Sequence, residues 1–250
     1  MNALLAFDTS TERLSIAAVV RGEVFTHEAA GGAQASATLI PAILALLSRA
    51  GIALRDLDAI AFGRGPGAFT GLRCACSVAQ GLAYGANKPV LPIDTLLAVA
   101  EDARSAWQRE QSRWRVWVVM DARMDEIYAA QYEYGDAAQQ PGVWTMVDAP
   151  VLTTPHALNA RWQAEAPTHV AGSALTAFGA RLATGDAVLM PDAMPRARAM
   201  LPLAEALWAL GGAVDAAHAA PLYLRDKVAQ TTVERDAIRA AKDVAREAAP

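Results

Sequence analysis

The apolar residues of the first hundred positions come in short alternating runs and then in longer segments of helical spacing. Three short runs at residues 4–7, 14–20 and 23–28 are separated by polar turns, and they predict a three-stranded β-meander. Residues 34–50 place leucine and isoleucine three and four positions apart, which predicts an amphipathic helix. An Ala-rich apolar segment predicts a second helix at residues 72–86. Two further strands, which complete this half, are predicted at residues 58–62 and 89–93.

The same succession begins again in the second half of the chain. A helix at residues 95–109 leads into a second meander, with strands at residues 115–120, 126–134 and 143–147. Shorter elements follow, with helices predicted at residues 155–162, 173–183 and 199–210 and a strand at 169–171. Each meander has an aspartate in its first turn, Asp8 in the first half and Asp121 in the second.

These patterns predict an α/β fold of two lobes, each a mixed sheet that opens with an antiparallel meander and is flanked by helices. The predicted N-terminal lobe is residues 1–94, and the predicted C-terminal lobe is residues 95–225. Residues 226–250 are charged and Ala-rich. We expect a frayed helix or a disordered tail there and assign it no function.

Composition and charge narrow the class of protein. The chain has 250 residues, of which 54% are hydrophobic, and a formal net charge of −4 without a dense Lys/Arg block. We therefore expect a folded protein that does not bind nucleic acid strongly by itself. No apolar run is long enough to span a membrane, and Asp8 interrupts the first apolar run, so a signal peptide is not expected. Cys74 and Cys76 are two apart on a predicted helix and cannot pair well, which favours a reducing cytoplasm.

A glycine-rich loop is the most distinctive local feature. It follows the strand at residues 58–62 and precedes the helix at residues 72–86. Its members are Gly63, Gly65, Pro66, Gly67, Thr70, Gly71 and Arg73. Such a junction either binds a phosphate-like anion at the helix N-terminus or lets two backbones pack closely. It is not a P-loop, since Gly71 is followed by Leu72 where that motif has lysine, and Pro66 interrupts a dinucleotide fingerprint.

Residues with catalytic chemistry are sparse. The histidines lie far apart, without the spacing of a metal motif, and no nucleophile elbow is present. Asp8 either orients a metal-bound water or a hydroxyl, or caps its own turn; we favour the cap. Asp121, Arg123 and Glu126 form either an acid–base site or a turn stabilised by an Arg–carboxylate pair. We therefore predict no catalytic residue and no metal site.

Four stretches together resemble the TsaB family, also called YeaZ. They are L-A-F-D-T-S at residues 5–10, G-P-G-A-F-T-G-L-R at residues 65–73, D-A-R-M-D-E-I-Y at residues 121–128 and P-L-Y-L-R at residues 221–225. This family contains the bacterial partner protein in making threonylcarbamoyladenosine in tRNA. The resemblance covers most of the chain, and the glycine loop is its most specific part.

The resemblance implies the two-lobed fold of actin, sugar kinases and chaperone ATPases. In that superfamily the first turn has Asp-x-Gly-Ser/Thr and closes on ATP phosphates. Here Ser10 stands where the glycine would be, so Asp8, Ser10 and Asp121 are expected to form only a vestigial nucleotide site. The catalytic TsaD relatives bind metal through an H-x-x-x-H pair, which this sequence lacks. The resemblance therefore implies a noncatalytic scaffold.

The implied partners are a TsaD-type protein, a TsaE-type ATPase, and tRNA only within the complex, with ATP and Mg belonging to the partners and no cofactor on this chain. A homodimer is allowed when the chain is alone, and no membrane partner is expected. The two helices of the first lobe form the family's dimer interface. The residues expected there are Leu39, Ile43, Leu46, Cys74, Val78, Ala79 and Leu82. Close packing inside the lobe would demand the same composition. The alternative function is an ATP-dependent small-molecule kinase of the same fold, using Asp8, the glycine loop and Asp121.

Overall fold

The structure, a computed structural model, describes residues 2–107, 113–137 and 140–225. The predicted tail at residues 226–250 lies outside the described residues, as does the end of the helix predicted at residues 95–109. Among the described residues, no helix combines the length and the apolar character needed to cross a bilayer.

The first sheet contains the first predicted meander and two parallel strands. Its strands are β1 (Ala3–Asp8), β2 (Arg13–Val20), β3 (Glu23–Ala30), β4 (Ala59–Gly65) and β5 (Val90–Asp94). They lie in the order β3-β2-β1-β4-β5, where β1 to β3 are antiparallel and β4 and β5 run parallel to β1. Two helices, α1 (Ala35–Arg49) and α2 (Phe69–Ala86), connect these strands.

The second sheet repeats this topology. Its strands are β6 (Arg113–Arg123), β7 (Glu126–Ala137), β8 (Gln140–Thr153), β9 (His169–Ala171) and β10 (Val188–Met190), in the order β10-β9-β6-β7-β8. Again the first three strands are antiparallel and the last two run parallel to the first. The remaining helices are α3 (Thr95–Ala106), α4 (Pro155–Ala164), α5 (Ala174–Phe178) and α6 (Ala197–Ala209). Short 3₁₀ turns lie at Gly32–Gln34, Leu54–Asp56, Gly179–Arg181 and Ala216–His218.

Several predicted boundaries were wrong. Helix α2 begins at Phe69, so Gly71 lies inside the helix rather than in the loop. The helix predicted at residues 173–183 ends at Phe178, because Gly179 takes a φ of +51° that the α-helix does not allow. Strand β8 is much longer than the run at residues 143–147 suggested, and the short strand β10 was not predicted.

The core of the first lobe lies between its sheet and helices α1 and α2. Leu39, Ile43, Leu46 and Ala79 are buried inside that core, against the lobe's own sheet. Their assignment to a partner-binding face stays a prediction, and in the isolated chain the apolar stripe of each helix faces inward. The other three residues of that prediction, Cys74, Val78 and Leu82, are only partly buried.

Residues from the end of the described chain complete the first lobe. Helix α6 packs against the face of the first sheet opposite α1 and α2, with Met200 and Ala204 buried beside Leu4 and Ala6. After α6, Val214 exchanges two backbone hydrogen bonds of 2.9 Å with Val90 at the start of β5. The division at residues 94 and 95 stays a prediction, but the first core draws on residues far beyond it.

Candidate functional site: the junction of the two lobes

Equivalent turns follow the first strand of each sheet. In the first, Asp8 Oδ1 accepts hydrogen bonds from the Ser10 backbone N–H at 2.7 Å and from Ser10 Oγ at 2.6 Å. In the second, Asp121 Oδ1 accepts from the Arg123 N–H at 2.8 Å. Both aspartates cap their own turns, the alternative that we favoured for Asp8. Ser10, which was predicted with them in a vestigial nucleotide site, donates both of these hydrogen bonds to the Asp8 carboxyl.

The Asp8 carboxyl is enclosed by protein. It is 1% exposed, and Thr95 Oγ1 donates to its second oxygen, Oδ2, at 3.3 Å. Burial raises the pKa of Asp8 to about 6, and the hydrogen bonds from Ser10 and Thr95 offset only part of that rise. Loss of the Asp8 proton near neutral pH thus places a carboxylate in a site without solvent.

The glycine loop packs its backbone directly on this turn. A Cβ at Gly63 would lie 1.8 Å from Asp8 Oδ2, and one at Gly71 would lie 1.9 Å from the Thr9 carbonyl oxygen. Thr9 Oγ1 donates to the Gly71 carbonyl at 2.8 Å. The Ala68 N–H, which follows Pro66 and Gly67, donates to the Ser10 carbonyl at 2.8 Å. Of the two alternatives for the loop, close backbone packing accounts for its glycines.

The rest of the loop contacts residues 222–225. At Gly65, whose φ is +116°, a Cβ would lie 2.6 Å from the Leu222 carbonyl oxygen. The Arg73 guanidinium lies 3.7 Å from the centroid of the Phe69 ring, and its Nε donates to the Tyr223 hydroxyl at 3.2 Å. Pro66 and Gly67 line the adjoining cleft, whereas Thr70 is exposed. The P-L-Y-L-R stretch was distinctive in the sequence, but its contact with the glycine loop was not predicted.

A cleft of about 200 Å³ lies between the glycine loop and the β6–β7 turn. Its walls are largely apolar, and an exposed ion pair joins Arg123 to Glu12 of the opposite turn at 3.3 Å. Arg123 also pairs with Asp121 at 3.3 Å, while Glu126 pairs with Arg225 at 2.7 Å. The charged residues of this turn therefore form Arg–carboxylate pairs, the second of the two interpretations that the sequence left open.

The predicted polar residues do not assemble a metal centre in the part of the chain that the structure describes. Within residues 2–107, 113–137 and 140–225, no cluster of three or more His, Cys, Asp or Glu side chains could hold a metal ion. Burial lowers the pKa of His169, whose Nδ1 lies 3.0 Å from the Arg115 carbonyl oxygen. Both cysteines are free thiols.

The two lobes have the same topology, and each has a capped aspartate turn after the first strand of its sheet. These features define a protein of the two-lobed actin-like ATPase fold. The family model described as "TsaD: tRNA N6-adenosine threonylcarbamoyltransferase" matches residues 22–233. Proteins named "tRNA threonylcarbamoyladenosine biosynthesis protein TsaB" match over 234 residues and 90% of this chain. The protein of Escherichia coli (strain K12) is 34% identical and is covered over 96% of its length, and that of Haemophilus influenzae is 33% identical and covered over 94%.

Solved structures agree with these sequence matches. The structure of YeaZ from Pseudomonas aeruginosa has a TM-score of 0.77 and 37% sequence identity, and the match covers 90% of this chain and 100% of that one. A second structure from the same organism, titled an uncharacterized protein with similarity to peptidase YEAZ, has a TM-score of 0.78 and 38% identity with the same coverage. The chain belongs to the TsaB (YeaZ) family.

Proposed function

We propose that this chain is a noncatalytic partner of a TsaD-type transferase in the biosynthesis of threonylcarbamoyladenosine in tRNA, and that it acts in the cytoplasm. Its family membership supports the pathway. The observation that supports a noncatalytic role is that other residues of the chain pack closely against the turn after β1. Hydrogen bonds from Ser10 and Thr95 occupy the Asp8 carboxylate, and the backbone of Gly71 lies against Thr9. In catalytic proteins of this fold, the phosphates of ATP need that space.

On this proposal the chain has no cofactor of its own. ATP and Mg belong to the partners, a TsaD-type protein and a TsaE-type ATPase, and tRNA is bound only within the assembled complex. A small-molecule kinase would need an open turn to receive Mg-ATP between Asp8 and Asp121. The packing of the glycine loop on the first turn disfavours that alternative.

The partner surface is best sought on the outer face of α1 and α2. On α1, Ile40 and Leu44 are 40% and 49% exposed, one turn apart and beside the buried stripe. On α2, Gly81 and Gly85 are exposed, and a Cβ at either position would have no atom of the described residues within 4 Å beyond its own helix backbone. Glycine within a helix costs about 1 kcal/mol relative to alanine. Since no residue that the structure describes packs on these two glycines, they suit a second backbone that approaches closely.

A variant at Gly81 tests this surface without disturbing the lobe. Gly81→Gln adds a long side chain in open space and improves helix propensity, so the chain should fold at least as well as wild type. We expect it to lose co-elution with the TsaD-type protein of the same organism in size-exclusion chromatography. Ala206→Gln, at an exposed position of α6, is the matched control and should co-elute normally. Normal co-elution of a folded Gly81→Gln chain would remove this face from the proposal.

The function itself is tested by the tRNA modification assay with purified TsaD-type and TsaE-type proteins, with and without this chain. We expect a one-to-one complex with the TsaD-type protein and modification that depends on it. Modification that proceeds equally without this chain would refute the proposed role. Micromolar binding of Mg-ATP by the isolated chain in isothermal titration would instead favour the kinase.

A further inference from the structure

The segment after α6 crosses from one lobe to the other, and we call residues 213–225 the C-terminal strap. It begins at the paired Val214 and Val90 and then runs along α2. There the Ala219 carbonyl accepts hydrogen bonds from Gln80 Nε2 at 2.9 Å and from Cys76 Sγ at 3.3 Å. The first part of the strap is therefore fixed to the first lobe.

The strap then reaches the glycine loop at the mouth of the cleft. The Leu222 N–H donates to the Arg64 carbonyl at 2.7 Å, which joins the strap to the end of β4. The Tyr223 ring lies 5.1 Å from the Phe69 ring, at the start of α2. These contacts place the strap on the wall of the cleft that the first lobe provides.

Two residues later the strap is bound to the second lobe. Leu224 packs against the core of that lobe. The Arg225 side chain is only 15% exposed, pairs with Glu126 Oε2 at 2.7 Å and donates to the Ala122 carbonyl at 2.9 Å. A charge-assisted pair that is largely shielded from water is stronger than an exposed one. Four consecutive residues thus join β4 to the β6–β7 hairpin across the cleft.

We propose that residues 222–225 of the strap set the angle between the two lobes, with Arg225 as the residue that fastens them. In two-lobed proteins that close around a ligand, contacts with the ligand hold the lobes together. Here the chain's own strap supplies such contacts and covers the space between the glycine loop and the β6–β7 turn. The cleft opens only when Arg225 leaves Glu126 and Ala122. This inference concerns the isolated chain and does not depend on the proposed role in tRNA modification.

The test measures the distance between the lobes in the full chain by double electron–electron resonance. Spin labels are attached to cysteines introduced at Glu23 and Gln163, which are exposed on different lobes. The native thiols are removed by Cys74→Ala and by Cys76→Ser, whose hydroxyl can still donate to the Ala219 carbonyl of the strap. The wild-type strap should give one narrow distance distribution. Arg225→Ala and Arg225→Glu should both broaden it toward longer distances, because each removes the contact with Glu126. Arg225→Lys, which retains the positive charge, should change it less.

A matched control and a second measurement keep the result interpretable. Arg181→Ala removes a more exposed pair with Asp125, both in the second lobe, and should leave the distribution unchanged. Hydrogen exchange at the Leu222 amide should become about tenfold faster in Arg225→Ala, the factor expected for losing a charge-assisted hydrogen bond. Wild-type distance distributions in both folded Arg225 variants would overturn the proposal, whether or not the Leu222 amide exchanges faster.

Discussion

Replacing Asp8 by asparagine should stabilise the protein at neutral pH. Asparagine has nearly the same shape, and its Oδ1 can still accept the hydrogen bonds from the Ser10 N–H and Oγ. It cannot ionise, so it avoids placing a negative charge in a site that is 1% exposed. Of the hydrogen bonds to this carboxyl from described residues, the one from Thr95, at 3.3 Å, must rearrange.

The size of the effect follows from the pKa of Asp8, which burial raises from 3.8 to about 6. Each unit of difference between the folded-state and unfolded-state pKa corresponds to a free energy of about 1.36 kcal/mol. Ionised Asp8 therefore lowers the stability of the native state by about 3 kcal/mol. Below the unfolded pKa both states are protonated and this cost is absent. As the pH rises through 3.8 toward 6, the unfolded chain ionises first and wild-type stability falls. Above pH 6 the full cost is present and no longer changes.

The assay is urea denaturation of the wild type and of Asp8→Asn at pH 4.5 and pH 7.5, followed by tryptophan fluorescence. The variant should be more stable by up to about 3 kcal/mol at pH 7.5, with most of that difference gone at pH 4.5. Asp58→Asn is a control of opposite sign, because the Ala3 and Asn2 N–H groups lower the pKa of Asp58. A difference that is the same at both pH values, or an Asp8→Asn chain less stable at pH 7.5, would refute the reasoning.

Three further variants, two in the first lobe and one in the second, test the packing by equilibrium unfolding. Gly71→Ala should destabilise by about 3 kcal/mol, because its Cβ would lie 1.9 Å from the Thr9 carbonyl oxygen, whereas Gly81→Ala should stabilise by about 1 kcal/mol. Equal effects of these two variants would contradict the close approach. Glu101→Ala should cost about 3 kcal/mol, since it removes the carboxylate that accepts two bonds, of 2.8 and 2.7 Å, from the partly buried Arg104. A loss below about 1 kcal/mol would mean that this pair is worth no more than an exposed one.

The sequence predicted the two meanders and the α/β units that follow them because apolar periodicity is a local property. It also favoured a capping role for Asp8, since an aspartate bonds the backbone two residues on. It could not assign Leu39 and Ala79 to the core or to a partner surface, because an apolar stripe has the same spacing whether it faces its own sheet or a partner. Only the burial of those side chains separates the two cases.

The contacts between distant parts of the chain were not predictable in the same way. The pairing of Val214 with Val90, and of Arg225 with Glu126, joins residues whose separation leaves no periodic signal. The glycine loop shows the same limit. Its composition indicated a close approach, but the approaching groups, Thr9 and Leu222, come from opposite ends of the chain.

The packing of α6 on the first sheet also has a consequence for synthesis on the ribosome. The strands that bury Leu4 and Ala6 are complete once β5 has emerged, yet the helix that covers their second face begins only at Ala197. About a hundred residues of the second lobe must be translated in between. At roughly 5–20 residues per second, the nascent chain exposes one apolar face of its first sheet for several seconds. During that interval the exposed apolar face makes the nascent chain prone to aggregation, and the length of the interval is set by the chain order of the two lobes.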